Sequence, residues 1–315
     1  MLTWLPGLAD PAYQRYGSVV GGLLLLFGVI LLGLRLTPWW SSPGVQQTWI
    51  AYRSWLVMVP VCFLALGLGR TAFIIAVGLL SLGVIKEFAR ATGLYQDWGF
   101  TVTVYVGVVG FFSAVFTRWY GLFVAIPVYA IVVLFMLPSF RNAYAGMIQK
   151  VGLSTIALIY LGWFPAHLAY LTNHPHGSAY VLFLILGTEL NDASAFVAGK
   201  VFGRRKMIPN ISPGKTIEGA LGSLVAISVY VWSVQRWLPG FGPLMLGLSV
   251  LILWIGGTMG DLAISFVNRD IGIKDMRRLI PGHGGLLDRV DSLMLTSPLF
   301  FHAVNYYVKF PGGGP

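Results

Sequence analysis

Long apolar runs recur along this 315-residue chain, and they constrain its fold more than any other feature of the sequence. The runs VVGGLLLLFGVILLGL from Val19 and LMLGLSVLILWIGG from Leu244 are two examples. About 20 mostly apolar residues allow one helix to cross the hydrocarbon core of a bilayer. Because the bilayer offers the backbone no hydrogen-bond partner, a spanning segment must satisfy its own backbone groups. The sequence therefore predicts an integral membrane protein.

The predicted fold is all-α, a polytopic transmembrane helical bundle of about nine to ten helices. No linker, tandem repeat or low-complexity block divides the chain, so we expect one integrated membrane domain. Within it, residues 1–175 are predicted to be a transmembrane scaffold and residues 176–315 a transmembrane catalytic region. The predicted spans cover residues 19–36, 55–69, 71–86, 101–117, 120–138, 151–172, 178–199, 217–236, 244–267 and 292–309.

Basic residues are distributed unevenly between the two sides of the predicted bundle. Every second loop, counted with its helix ends, belongs to a set that together holds 16 of the 21 Lys and Arg residues. Cytoplasmic loops carry the basic excess, so these loops are predicted to face the cytoplasm. The net charge of +10 comes without a nucleic-acid-binding motif, so the expected partners are lipid and nucleotide phosphates rather than nucleic acid. The basic loops are 37–54, 87–100, 139–150, 200–216 and 268–291.

Acidic residues, by contrast, are concentrated late in the chain, where eight of the 11 carboxylates follow residue 188. Glu189 and Asp192 lie three residues apart in an apolar helix and therefore on neighbouring positions of one face. Carboxylates at membrane depth are costly and indicate a functional site. The alternative for either residue is that it reaches the interface or pairs with a loop Arg.

A polar stripe is predicted on the ninth span. Asp261, Ser265 and Asn268 are spaced i, i+4 and i+7, so they share one helical face. Such a stripe faces a cavity, or it forms a hydrogen-bonded seam between helices.

The segment PGHGGLLDRVDS, residues 281–292, combines a His, two adjacent Gly, two Asp and an Arg. Gly284 and Gly285 allow main-chain N–H groups to approach an anion. They precede a predicted helix whose first turn presents Asp288, and the N-terminus of a helix also favours anions. Asp288 is expected to share a face with Asp291 and to meet Asp261 across the mouth of the bundle.

Carboxylates that face each other among cations are the elements of a divalent metal site for phosphoryl chemistry. Mg²⁺ prefers a few carboxylates, with substrate phosphate oxygens and water in the remaining positions. Lys and Arg side chains would neutralise the rest of the phosphate charge. The residues alone therefore predict a cytoplasm-facing, metal-dependent site for a polyanion in the membrane.

Two segments resemble the signature of the CDP-diacylglycerol synthases, also called phosphatidate cytidylyltransferases. The first is SFVNRDIGIKD, residues 265–275, and the second is PGHGGLLDRVD, residues 281–291. The family pattern is approximately S-x-x-K-R, four residues, K-D, a spacer, and G-H-G-G-x-x-D-R-x-D. The resemblance extends to Asp192, the FGRRK run from Phe202, and SPGKTIEG from Ser212.

The resemblance implies a helical membrane enzyme that depends on Mg²⁺, with a second cation left open. It implies CTP and phosphatidate as substrates, and CDP-diacylglycerol and pyrophosphate as products. Asp261 and Asp288 match the metal carboxylates. The other residues expected to be catalytic are Lys215, Arg269, Lys274 and His283, and those expected to bind substrate are Asp192, Ser212, Thr216, Ser265, Gly284, Gly285 and Arg289.

Two positions depart from the pattern, because Asn268 replaces the Lys before the Arg and Gly214 replaces a Lys of S-P-K-K-T. Each removes one cation near the expected nucleotide site. For His283, the alternatives to acid–base chemistry are a structural role and a hydrogen bond to phosphate. For Arg289, the alternative to phosphate binding is an ion pair with a neighbouring Asp. The expected location is the inner membrane of a bacterium, with the site facing the cytoplasm, and a homodimer is left open.

Two other functions remain as rivals. A CTP-dependent lipid-alcohol kinase would share the membrane location, the metal and the phosphate-binding residues. An ion or anion transporter would place Asp192 and Asp261 near the bilayer centre and would show an inverted repeat. No such repeat is visible in the sequence, and both acids lie near predicted cytoplasmic helix ends.

Overall fold

The computed structural model describes residues 6–272 and 285–308, and these residues are almost entirely helical. Within them, 9 helices are long and apolar enough to cross a membrane. Helix α12, with 17 residues, corresponds to the tenth predicted span. The all-α membrane fold predicted from the sequence is therefore confirmed.

The helices follow the predicted spans in order. An element of five π-helical residues, Ile159–Trp163, joins α6 to α7, and a second one, Ile252–Gly256, joins α10 to α11. The helices are α1 (Pro11–Arg35), α2 (Pro43–Gly67), α3 (Arg70–Thr92), α4 (Trp98–Phe116), α5 (Tyr120–Phe140), α6 (Met147–Leu158), α7 (Phe164–Leu171), α8 (Gly177–Phe202), α9 (Ile217–Val234), α10 (Pro243–Leu251), α11 (Gly257–Asp270) and α12 (Asp291–Tyr307).

The first two helices begin earlier than the apolar runs predict. Helix α2 begins at Pro43 rather than near residue 55, and the Ser42 side chain caps it by accepting from the Val45 amide. Backbone hydrogen bonding thus extends beyond the apolar run into the more polar residues before it. Hydropathy locates the apolar part of a span, whereas capping decides where its helix begins.

The chain divides into two compact units, residues 1–73 and 74–315. In the first unit, Tyr52 donates a hydrogen bond to the Leu24 carbonyl, and Tyr13 donates one to the Phe63 carbonyl. The donor–acceptor distance is 3.0 Å in both. Many large apolar side chains of α1 are exposed on the protein surface, as expected for a helix that faces lipid.

In the second unit, ion pairs join two of the basic loops. The Asp97 carboxylate accepts from Arg141 Nη1 at 2.6 Å and from Lys150 Nζ at 2.9 Å. Asp97 precedes α4, whereas Arg141 follows α5 and Lys150 lies in the first turn of α6. The loops 87–100 and 139–150 therefore lie on the same side of the bundle, as their charge predicts.

A short antiparallel hairpin interrupts the helices between α8 and α9. Its strands are β1 (Lys206–Ile208) and β2 (Ser212–Thr216). Thr216 ends the hairpin and caps α9, because its side-chain oxygen accepts from the Gly219 amide at 3.1 Å. The hairpin is thereby fixed to the start of α9.

Close packing of α11 on α12 depends on small residues. A Cβ added at Gly260 would lie 2.8 Å from the Asp291 carbonyl oxygen and 2.9 Å from Ser292 Cα. Gly256, the last residue of the preceding π-helical element, also packs on α12, since a Cβ there would lie 3.1 Å from Thr296 Cγ2. Glycines four residues apart allow two membrane helices to approach closely.

Replacing Asp97 by Asn should lower the free energy of unfolding by about 1 kcal/mol at neutral pH, because two partly exposed ion pairs are lost. Burial alone would raise the pKa of Asp97, but hydrogen bonds from Lys150 and Arg141 outweigh it and hold the pKa below its usual 3.8. The stabilisation is therefore present above this usual value and is lost as the pH falls through the lower folded-state pKa. The unfolding midpoints of the parent protein and of Asp97→Asn, measured in detergent as a function of pH, should converge only in acid. Gln149→Ala, which changes an exposed residue near Lys150, is the control.

Gly260→Ala should destabilise the second unit by about 1–3 kcal/mol, because the new methyl group meets backbone atoms that cannot move independently. The measurement is the midpoint of thermal unfolding in detergent. Gly247→Ala is the matched control, since a Cβ there would meet nothing within 4 Å. Equal midpoints for both variants would contradict the close helix crossing.

Candidate functional site

Four carboxylates from four elements of the second unit gather at one end of the bundle. Asp192 comes from α8, Asp261 from α11, Asp288 from the turn before α12, and Asp291 from the start of α12. Asp291 lies close enough to interact electrostatically with each of the other three carboxylates. Residues that are up to 99 positions apart in the sequence are thus brought into one site.

Asp261 has both a cationic and a hydroxyl partner. Its Oδ2 lies 2.7 Å from Lys215 Nζ, and its Oδ1 accepts from Ser265 Oγ at 3.1 Å. The Lys215 ammonium also donates to the Thr258 carbonyl at 3.3 Å. The side chains of Lys215 and Asp261 are 22% and 30% exposed, so this ion pair remains accessible to a ligand.

Asp288 lies opposite the far end of the predicted stripe. Its Oδ1 accepts from Asn268 Nδ2 at 3.4 Å, and Asn268 is buried. Because Asn268 follows Asp261 by two helical turns, about 10 Å of helix axis separates the two positions. Asp261 thus contacts Ser265 while Asp288 contacts Asn268, and the predicted meeting of Asp261 with Asp288 stays a prediction.

Asp288 does not lie in the first turn of α12, so that detail of the sequence prediction is wrong. It lies in a separate 3₁₀ turn, Leu287–Arg289, and α12 begins only at Asp291. Val290, with φ −129° and ψ 6°, interrupts the helical conformation between the two. Asp291 consequently lies beside Asp261, since its carbonyl packs on Gly260.

On α8, the structure surrounds Asp192 with polar groups. Asn191 Nδ2 lies 3.5 Å from Asp192 Oδ1. Asp192 also interacts electrostatically with Asp261 and Lys215. Glu189, one turn earlier, interacts with Asp192 and Arg289. Glu189 of α8 is thus one acidic neighbour of Arg289, and pairing of Arg289 with a neighbouring Asp stays a prediction.

The hairpin is held against α11 by Arg269, whose Nε donates to the Ile211 carbonyl at 3.2 Å. Ser212 opens strand β2 opposite Ile208. Thr216 serves as the cap of α9, so its position also has a structural explanation. Lys215 is the hairpin residue that reaches the carboxylates.

Several predicted site residues lie outside the described residues, namely Lys274, His283 and Gly284. Gly285 is described and is buried. The two departures from the family pattern are also described. Asn268 contacts Asp288, whereas a Cβ added at Gly214 would meet nothing within 4 Å.

Sequence reasoning missed two residues from earlier helices. Glu87 of α3 accepts from the Leu287 amide at 3.1 Å, next to Asp288. Tyr160, in the π-helical element, donates to the Gly260 carbonyl at 3.3 Å and interacts with Asp261 and Asp291. Glu87 had a sequence signal, because only three acidic residues precede Glu189. We find no sequence signal for Tyr160.

The donor set consists of oxygen atoms, which is the chemistry that suits Mg²⁺. Among residues 6–272 and 285–308, no group of three or more His, Cys, Asp or Glu is arranged to hold a metal ion. A Mg²⁺ ion needs only one or two protein carboxylates when substrate phosphate supplies other ligands. The residues present therefore fit Mg²⁺ bound together with a phosphate substrate.

Comparisons with known proteins identify relatives of this chain. Over 164 residues, the chain is 42% identical to uncharacterized protein YnbB of Escherichia coli (strain K12), covering 49% of this chain and 55% of that protein. It is 36% identical over 161 residues to the phosphatidate cytidylyltransferase of Staphylococcus haemolyticus (strain JCSC1435), covering 50% of this chain and 60% of that protein. The match to the enzyme of Staphylococcus aureus (strain COL) has the same identity and coverage over 162 residues.

The aligned segments thus span little more than half the length of these relatives. A family model covers much more of the chain, from residue 49 to residue 307. This match includes the carboxylate cluster, the hairpin and the earlier helices that contribute Glu87 and Tyr160. It confirms the resemblance identified in the sequence, and the chain belongs to the cytidylyltransferase family.

Proposed function

We propose that this protein transfers a cytidylyl group from CTP to phosphatidate, giving CDP-diacylglycerol and pyrophosphate. The observation that carries the proposal is the gathering of Asp192, Asp261, Asp288 and Asp291 with Lys215 at one end of a membrane bundle. Acidic and basic groups together suit a polyphosphate and a divalent cation. The names of the staphylococcal relatives support the choice of substrates.

In the proposed reaction, a phosphate oxygen of phosphatidate attacks the α-phosphorus of CTP. The new P–O bond forms as the bond to the β-phosphate breaks, and pyrophosphate leaves with the bonding electron pair. The nucleophile is already anionic, so repulsion between the two phosphates is the main barrier and no strong base is required. The protein must therefore supply positive charge and alignment.

Asp261 and Asp288 would hold Mg²⁺, and Asp291 lies close enough to support them. When bound, Mg²⁺ would offset the phosphate charge that develops as pyrophosphate leaves. A Lys ammonium has three N–H donors, so Lys215 can pair with Asp261 and also donate to a phosphate oxygen. Arg289, with Glu189 as its acidic neighbour, would bind phosphate from the α12 side.

The remaining predicted site residues have proposed roles around these groups. Those expected to bind phosphate as cations are Arg269 and Lys274. Those expected to bind substrate through hydrogen bonds, with Asp192 as an acceptor, are Asp192, Ser212, Thr216, Ser265, Gly284 and Gly285, whereas His283 is expected to be catalytic or to donate a hydrogen bond to phosphate. Arg269 also fixes the hairpin to α11, so its replacement would disturb both functions.

We further propose that the site faces the cytoplasm of a bacterial cell, with the diacylglycerol chains remaining in the inner membrane. CTP is a cytoplasmic substrate, and the loops nearest the carboxylates carry most of the basic excess. The functional division at residue 175, the second cation and the homodimer also stay predictions.

Label transfer from CTP to lipid separates the proposed reaction from its rivals. With purified protein and phosphatidate, label from the α-phosphate should enter lipid, whereas label from the γ-phosphate should not. A lipid-alcohol kinase would instead transfer the γ-label to a hydroxyl acceptor. A transporter would transfer neither label, and either of these outcomes would refute the proposed reaction.

Asp261→Asn and Asp288→Asn should each reduce the rate of α-label transfer by at least about 100-fold, because each removes a charge that binds metal. Asp270→Asn is the matched control, since Asp270 is exposed on the same helix as Asp261. The control should retain its activity. Undiminished transfer by both site variants would remove the metal assignment.

Chelation of divalent ions by EDTA should abolish the transfer, and added Mg²⁺ should restore it. In the metal-free protein, binding of CTP should weaken, because phosphate then faces carboxylates without the compensating cation. The measurements are the initial rate and CTP affinity before and after Mg²⁺ is restored. Full activity in EDTA would contradict the proposed metal dependence.

A further inference from the structure

Glu87 is a buried acidic residue outside the predicted catalytic region. It lies in α3, within a membrane-spanning segment, and its side chain is buried. Among the described residues its Oε1 has no hydrogen-bond partner, while Oε2 accepts from the Leu287 amide at 3.1 Å. A buried carboxyl group with one unpaired oxygen is costly, so scaffolding alone would favour an apolar side chain here.

The bond from Glu87 ends on the turn that carries Asp288. Leu287 is the first residue of this three-residue 3₁₀ turn, and Asp288 is the second. The bond therefore spans 200 positions of the sequence to fix the backbone immediately before a proposed metal carboxylate. Glu87 also lies close enough to Asp288 for the two carboxylates to repel each other, so the attraction to this turn runs through the Leu287 amide.

A second contact holds the same turn against α3. Gly83 lies one helical turn before Glu87, and a Cβ there would be 2.9 Å from Leu286 Cδ2. Residues i and i+4 share one face of a helix. One face of α3 thus contacts both Leu286 and Leu287, and these contacts locate the turn before Val290 interrupts the helical conformation.

We propose that Glu87 is a positioning residue, which holds the turn Leu287–Arg289 so that the Asp288 carboxylate faces the site. The inference deepens the proposed function and rests on it for the catalytic consequence. Glu87 acts through the Leu287 amide, without contact to the substrate or the reacting atoms. Its required property is an oxygen acceptor at this position, which Gln supplies and Ala does not.

The first test measures the turn itself, without any assay of activity. Hydrogen exchange of the full-length protein in detergent should show faster exchange of the Leu287 amide in Glu87→Ala, by about tenfold or more. Glu87→Gln should retain most of the protection, and Lys86→Ala, which changes an exposed neighbour on α3, should exchange like the parent protein. Unchanged exchange in Glu87→Ala would overturn the inference, as would equal loss of protection in Glu87→Gln.

The second test measures the consequence for catalysis. Glu87→Ala should lower kcat for cytidylyl transfer by about 10–100-fold and should raise the Mg²⁺ concentration required for half-maximal rate. The KM for phosphatidate should change much less, and Glu87→Gln should restore most of kcat. A folded Glu87→Ala variant with parental kcat and Mg²⁺ dependence would also overturn the inference.

The two tests separate this inference from the proposed function. If the parent protein transfers no label from CTP but Glu87→Ala still releases the Leu287 amide, the reaction is wrong and the positioning contact stands. If the parent is active and Glu87→Ala alters neither exchange nor kinetics, the reaction stands and the role of Glu87 is refuted. Should Glu87→Ala fail to fold, loss of protection and activity in the folded Glu87→Gln variant would refute the acceptor role.

Discussion

Carboxylates gathered near a membrane repel one another and lose hydration, and this electrostatic cost governs the arrangement of the second unit. Asp291 interacts with Asp192, Asp261 and Asp288, so each of these charges raises the cost of the others. The Lys215–Asp261 pair relieves part of that repulsion. Because Lys215 lies on the hairpin, the hairpin must dock on α11, and the Arg269 bond to the Ile211 carbonyl holds it there.

Close helix packing makes this concentration of charge possible. Gly260 allows α11 to approach the backbone at the start of α12, and Gly257 lies against the Asn191 amide of α8. Larger side chains at these positions would move Asp261 away from Asp192 and Asp291. The glycines thus serve the site by setting distances between helices, since they carry no chemical group of their own.

The earlier helices contribute directly to the site. Glu87 of α3 contacts the turn before α12, and Tyr160 contacts the Gly260 carbonyl. Within the π-helical element at residues 159–163, the Leu161 carbonyl also accepts from Ser81 of α3 at 2.6 Å. The early part of the second unit therefore sets the position of the carboxylates as well as providing apolar surface.

Of the two departures from the family pattern, Asn268 keeps a hydrogen-bond donor beside Asp288 but lacks the positive charge of the Lys that it replaces.

The sequence by itself determined the membrane fold, the order of the spans and the residue types of the site. These follow from local properties, because an apolar run of sufficient length must form a helix in lipid and an i, i+4, i+7 pattern must share one face. Only the tertiary structure decided which groups meet across helices. It placed Asp291 beside Asp261 and Asp288 within hydrogen-bond distance of Asn268. It also added contacts from Glu87 and Tyr160 of earlier helical elements. Such pairings depend on helix crossings and on the break at Val290, and neither is fixed by the spacing of residues along one segment.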